Sequence, residues 1–199
     1  MINAREWTLS EAARLLDEPQ HRLIYLCEKG VVSPDLADAS GRGSSRKFSD
    51  RNLLEFAVAL KLRELLVPAV LIGAVLYVLR AFEKNVQSEN IDFSLPKSLL
   101  DKGAPELKVI IVEGPVLYFS MVFPDRPSRV LGGIKLDQLI SSEPGNDSKD
   151  AQILVQFDEV REKAGAKLKP HKTGSTIQLP DGQVKLEANI TEIARNLSI

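Results

Sequence analysis

The chain has 199 residues, 44% of them hydrophobic and 27% charged, with a net charge of −1. That length sustains one medium domain or two small ones, and a total charge near zero leaves nucleic-acid binding to be decided by a local basic patch. The single cysteine, Cys27, excludes an intramolecular disulfide and any multi-cysteine metal site within one chain, which fits a reducing compartment.

The N-terminal run MINAREWTLSEAARLL lacks the basic-then-apolar order of a signal peptide. Thr8 and Glu11 have the spacing of a capping box, and Leu9, Ala12, Ala13 and Leu16 then form one apolar stripe of a first helix. Asp17-Glu18-Pro19 makes the turn, with Pro19 suited to the first position of a second helix. In that helix Leu23, Leu26 and Cys27 face inward, and Gly30 stands where a left-handed C-terminal cap is wanted. Asp35–Ser45 has few large apolar residues and reads as an exposed loop. Between Gly41 and Arg51 the cations Arg42, Arg46, Lys47 and Arg51 face only Asp50, a local net charge of +3. Ser49 can cap a third helix with Leu53, Phe56, Ala57 and Leu60 on its inner face, which Pro68 ends or kinks near Leu66.

A fourth helix, Ala69 to about Lys84, is apolar almost all round and must be buried by a partner chain or by the C-terminal half. Leu65–Leu79 has no charged side chain, but Pro68 and Gly73 interrupt it and it falls short of the roughly 20 residues that cross a bilayer. The expectation is a cytoplasmic protein without a membrane segment. After Asn85 the texture changes. Leu107–Val112 and Val116–Phe123 read as strands joined at Glu113-Gly114-Pro115, and Val130–Ile134 as a third. Ser142–Asp150 reads as a polar linker, Ile153–Gln156 as a strand, Asp158–Leu168 as a short helix, and Thr176–Leu179 with Val184–Glu187 as a hairpin. The fold class expected is α+β, with an all-α N-terminal domain over 1–90 and a small α+β domain with an antiparallel sheet over 91–199.

Two short helices followed by an arginine-bearing loop is how a small domain holds a helix in a DNA major groove. With Leu23 and Leu26 inward, Gln20, His21, Arg22 and Tyr25 lie outward near the N-terminal end of the second helix, the end that meets base edges and phosphates. The pattern assigns Gln20, His21 and Arg22 to the groove, and Tyr25, Arg42, Arg46 and Lys47 to phosphates. No Gly-rich phosphate loop, His-Glu-x-x-His or Gly-x-Ser-x-Gly occurs, and Asp and Glu read as solvated, so an enzyme is not expected. Nor is a cofactor or metal. Cys27 reads as a packed thiol, and His171 stands in a solvated basic turn without a ligand partner.

Leu23, Tyr25, Glu28-Lys29-Gly30-Val31-Val32-Ser33-Pro34 and Arg46-Lys47-Phe48-Ser49-Asp50-Arg51-Asn52-Leu53 carry a family likeness. Over residues 7 to 84 the chain resembles the winged helix-turn-helix DNA-binding domain of the MerR family of bacterial transcription regulators. It departs from that pattern at Ile24, where the family commonly has Arg, and at Ser44-Ser45, where the wing commonly has Gly-Tyr. The resemblance implies a sequence-specific regulator that binds double-stranded DNA as a homodimer on a two-fold related operator. The long dimerisation helix usual in the family is not evident, which makes the apolar helix at 69–84 the expected substitute. The alternative is an antitoxin-like or phage excisionase-like architectural protein whose C-terminal domain binds a protein partner.

Overall fold

The computed structural model describes residues 5–37, 46–112, 114–124, 129–141 and 184–197. Helix α1 (Leu9–Leu15) opens with the expected capping box: Thr8 Oγ1 accepts the Glu11 N–H, and the Glu11 carboxylate accepts the Thr8 N–H at 2.8 Å. A four-residue turn leads to α2 (Gln20–Glu28). Pro19 stands one position earlier than expected, as the N-cap, because its backbone there is extended. Ser49 caps α3 (Asp50–Glu64) as expected, and α4 (Ala69–Glu89) follows Pro68 and runs past Lys84.

The first three helices end in the same way. Asp17, Gly30 and Leu66 sit at positive φ (52°, 65° and 61°), and each is followed by an N–H that returns to the carbonyl five residues back: Glu18 to Ala13, Val31 to Leu26, and Val67 to Leu62. This closure satisfies the last turn's carbonyls and suits glycine, which makes Leu66 the outlier.

The C-terminal half adds α5 (Leu95–Leu100), β1 (Glu106–Val112), β2 (Val116–Val122), β3 (Arg129–Lys135), α6 (Leu136–Ser141), β4 (Val184–Asn189) and α7 (Ile190–Asn196). The four strands form one antiparallel sheet in the order β3-β2-β1-β4, so the fold class is α+β. Val109 pairs with Phe119 and Ala188, and Ile111 with Leu117, placing these residues on the face that meets the helices. Gly114, at φ 91°, makes the β1–β2 turn. Val184–Glu187 falls within β4; its expected hairpin mate Thr176–Leu179, the linker, the strand at 153–156, the helix at 158–168 and His171 lie outside the described residues. The short helices α5, α6 and α7 were not expected. Asn189 caps α7 by accepting the Glu192 N–H, and the buried Thr191 hydroxyl accepts the Leu107 N–H, pinning α7 to the start of β1.

A single apolar cluster runs from Ala12 and Leu23 through Phe56 and Leu76 to Phe119 and Leu197. Helix α3 lies at its centre. Of its expected face Leu53, Phe56 and Leu60 are buried and Ala57 is half-buried, while Leu54, Val58, Ala59 and Leu62 are buried as well, because α4, α5 and α7 pack against this helix in addition to α2. The covering of α4 comes from the chain itself: Ile72, Val75, Leu76, Val78 and Leu79 are buried, with α3 and α6 among its neighbours. Among the described residues no helix is long and apolar enough to cross a membrane.

Candidate nucleic-acid interface

Leu23 and Leu26 are fully buried, which fixes the rotation of α2 and turns Gln20, His21 and Arg22 outward. No side chain caps α2 and its first turn holds no acid, so the positive end of the helix dipole is not neutralised within the helix. Tyr25 is half-buried and is a platform for two cations. The Arg63 guanidinium lies 4.4 Å from the ring centre and the Lys29 ammonium 5.8 Å. A stacked guanidinium keeps its edge N–H groups available to an oxyanion while the ring holds its plane. His21, Arg22, Tyr25 and Arg63 line one open cleft of about 460 Å³ between α2 and α3, together with the carboxylates Glu18 and Glu64. Those carboxylates already hold cations: Glu18 takes Arg22 at 2.9 Å, and Glu64 takes Lys61 at 2.9 Å.

The basic loop leaves and rejoins the body at a narrow neck. Ala37 and Lys47 exchange backbone hydrogen bonds, and Phe48 does the same with Trp7. Phe48 is fully buried, edge-on to Phe56 at 5.2 Å, so the neck is rooted in the core. Trp7 Nε1 donates to Asp50 Oδ1 at 2.8 Å, and the Arg5 guanidinium lies over the Trp7 ring. Asp35 closes the neck from the other side, accepting the Ser49 N–H at 3.1 Å and the Ser49 hydroxyl at 2.5 Å.

Of the residues singled out from sequence, His21, Arg22 and Tyr25 come together in the α2–α3 cleft. Gln20 turns toward α1, where its side-chain oxygen accepts the Ser10 hydroxyl at 3.4 Å. Lys47 stands at the neck, 3.6 Å from the Glu6 carboxylate, and Arg46 beside it is half-buried. Arg42 and the rest of the loop from 38 to 45 lie outside the described residues. Cys27 is half-buried against the core.

Arg63 was missed, because in sequence it is only a cation in the last turn of a helix, a common place for one. The reading of every Asp and Glu as solvated is also corrected. Glu55 and Glu83 are buried, at 4% and 3% exposure, because the second packed side of α3 encloses them with Arg80 and Arg51. The Glu11 carboxyl is held below its ordinary range by the Thr8 backbone N–H first and the Thr8 hydroxyl second. Among the described residues no group of three or more His, Cys, Asp or Glu side chains is placed to hold a metal ion. Compared with protein-family models and with curated proteins, the chain matches none.

Proposed function

We propose that residues 1–90 are a winged helix-turn-helix DNA-binding unit of a bacterial-type transcription regulator, acting as a homodimer on a two-fold related operator. In this reading α1 and α2 are the helix-turn-helix, α2 enters the major groove, and the loop between Ala37 and Lys47 is the wing. His21 and Arg22 address base edges, with Gln20 at the α1 side of the same helix end. Tyr25, Arg46 and Lys47 hold phosphates, as does Arg42 within the loop, and Arg63 and Lys29 join them through Tyr25. Residues 91–199 carry effector, dimerisation or partner contacts, and no catalytic step is assigned.

The observation that carries this reading is the Tyr25 platform: one phenol ring flanked by two cations, beside exposed His21 and Arg22 at an uncapped helix end. Cations converging from two helices on one solvent-facing ring suit a polyanion. The sequence resemblance to the MerR pattern points the same way. The test is fluorescence anisotropy of labelled duplexes with the full chain and with Arg46→Ala/Lys47→Ala. The expected result is weaker binding to all sequences alike, with a shallower salt dependence. An unchanged salt slope sinks the wing assignment.

A further inference from the structure

The base of the basic loop is tied to α4 by a chain of polar side chains, and a separate ion pair beside it joins α3 to α4 and α5. Asn52, 1% exposed, is at the centre of that polar chain. Its side-chain oxygen accepts the Asp35 N–H at 3.1 Å, and its amide nitrogen donates to Ser33 O at 3.0 Å and to Glu55 Oε2 at 2.9 Å. Glu55 in turn accepts Arg80 Nε at 2.5 Å and Nη2 at 2.7 Å, a two-point grip across from α3 to α4. One turn away, Arg51 Nε lies 2.7 Å from Glu83 Oε2, an ion pair without hydrogen-bond alignment. The other oxygen of Glu83 accepts the Leu95 N–H that begins α5. Arg51, Glu55, Arg80 and Glu83 line one small cavity among leucines and Val58.

Two carboxylates buried in an apolar wall, paired with guanidinium side chains that stay 34% and 38% exposed, are not explained by stability alone. Apolar side chains of similar volume commonly serve as well or better in such places. What the charges add is direction: leucines can slide past one another, whereas a two-point guanidinium–carboxylate pair fixes one register of α4 on α3. Hydrogen bonds to Glu55 hold the Arg80 guanidinium charged against the effect of burial, and the carboxylate of Asp35 adds to this at longer range. Asp35 is also the residue that clamps Ser49, so the chain ends on the neck of the loop.

We propose that Arg80 is a positioning residue for the loop neck, acting through Glu55 and Asn52, so that a shift of α4 is passed to the neck of the segment proposed as the wing. The coupling itself stands on the geometry above; only its consequence for DNA rests on the functional reading. The experiment is amide hydrogen exchange by NMR on the full chain, comparing wild type, Arg80→Lys and Glu55→Met/Arg80→Met. The double variant replaces the pair with apolar side chains, so the fold is expected to survive. Exchange at the Asp35, Ala37, Lys47 and Ser49 amides should rise about fivefold or more, the factor that matches one lost buried hydrogen bond. The Ala12 and Leu16 amides of α1 should keep their wild-type rates, and Arg80→Lys should fall between wild type and the double variant. Neck amides at wild-type rates overturn the proposal, and so does an equal rise at the neck, in α1 and in β1. If the neck loosens selectively but none of the three proteins binds duplex DNA, the coupling holds and the DNA reading fails.

Discussion

Arg63→Gln isolates the phosphate seat proposed at Tyr25. The guanidinium lies 4.4 Å from the ring centre on an exposed stretch of α3, so its loss removes an exposed cation–π contact worth about 0.5–1 kcal/mol and leaves the core intact. For a chain of this size that is a fall in Tm of only about 1–4 °C. The effect on DNA is larger and of a different kind. Each neutralised phosphate contributes about 0.9 to the slope of log affinity against log salt, so the proposed dimer, losing two seats, should become shallower by about 1.8. Between about 50 and 200 mM salt the wild type should therefore lose about 12-fold more affinity than the variant does. Anisotropy titrations of one duplex across that range measure both slopes. Lys61→Gln is the control: it also deletes a cation from α3, but one paired with Glu64 at 2.9 Å, and it should leave the slope in place. Equal slopes for wild type and Arg63→Gln would show that the Tyr25 platform meets no phosphate.

Three further outcomes follow from the same geometry. Glu18→Gln frees Arg22 from an exposed i,i+4 pair worth about 0.3–0.5 kcal/mol, so duplex binding should tighten about twofold; unchanged anisotropy would mean that the pair does not compete with DNA. Leu66 holds φ 61° at 89% exposure, and Leu66→Gly relieves a left-handed penalty of about 1–2 kcal/mol at a cost of about 0.4–1 kcal/mol in unfolded-chain entropy. Urea denaturation should show a net gain of up to about 1.6 kcal/mol, and a loss would contradict the strain. Glu11 has a folded pKa lowered from its ordinary 4.5, so its capping-box contribution is present above that value and disappears as pH falls through the folded pKa. NMR titration should find the Glu11 carboxyl below the ordinary glutamate range, with Glu11→Gln removing this part of the acid response of α1; an ordinary midpoint contradicts the box.

Local chemistry made the N-terminal elements legible. Thr8 with Glu11, Gly30 and Ser49 each fix a helix end through bonds only a few residues long in sequence, and the strands at Leu107–Val112 and Val116–Phe123 declare themselves by unbroken β-rich runs. The features that stayed hidden depend on distant pairing. Arg63 reaches Tyr25 only after α3 folds back on α2, and Glu55 meets Arg80 only when α4 is laid on α3. Both carboxylates of the buried chain look solvated in sequence because a charged residue on a helix usually is. The all-round apolar character of α4 correctly signalled burial, but the neighbours that bury it include α6, a six-residue helix too short to show a period. Leu66 broke the rule for helix ends, and its left-handed backbone had no glycine to announce it.

In the proposed function α2, the Tyr25 platform and the basic loop form a sequence-reading DNA surface. Selection of fragments from a genomic library by the purified full chain at physiological salt, followed by sequencing, tests it most directly. The expected result is recovery of one two-fold symmetric motif, with half-sites separated by about one helical turn of 10–10.5 base pairs or a multiple of it. Recovery no greater than from a blank matrix, or a set of fragments with no shared motif, would contradict it.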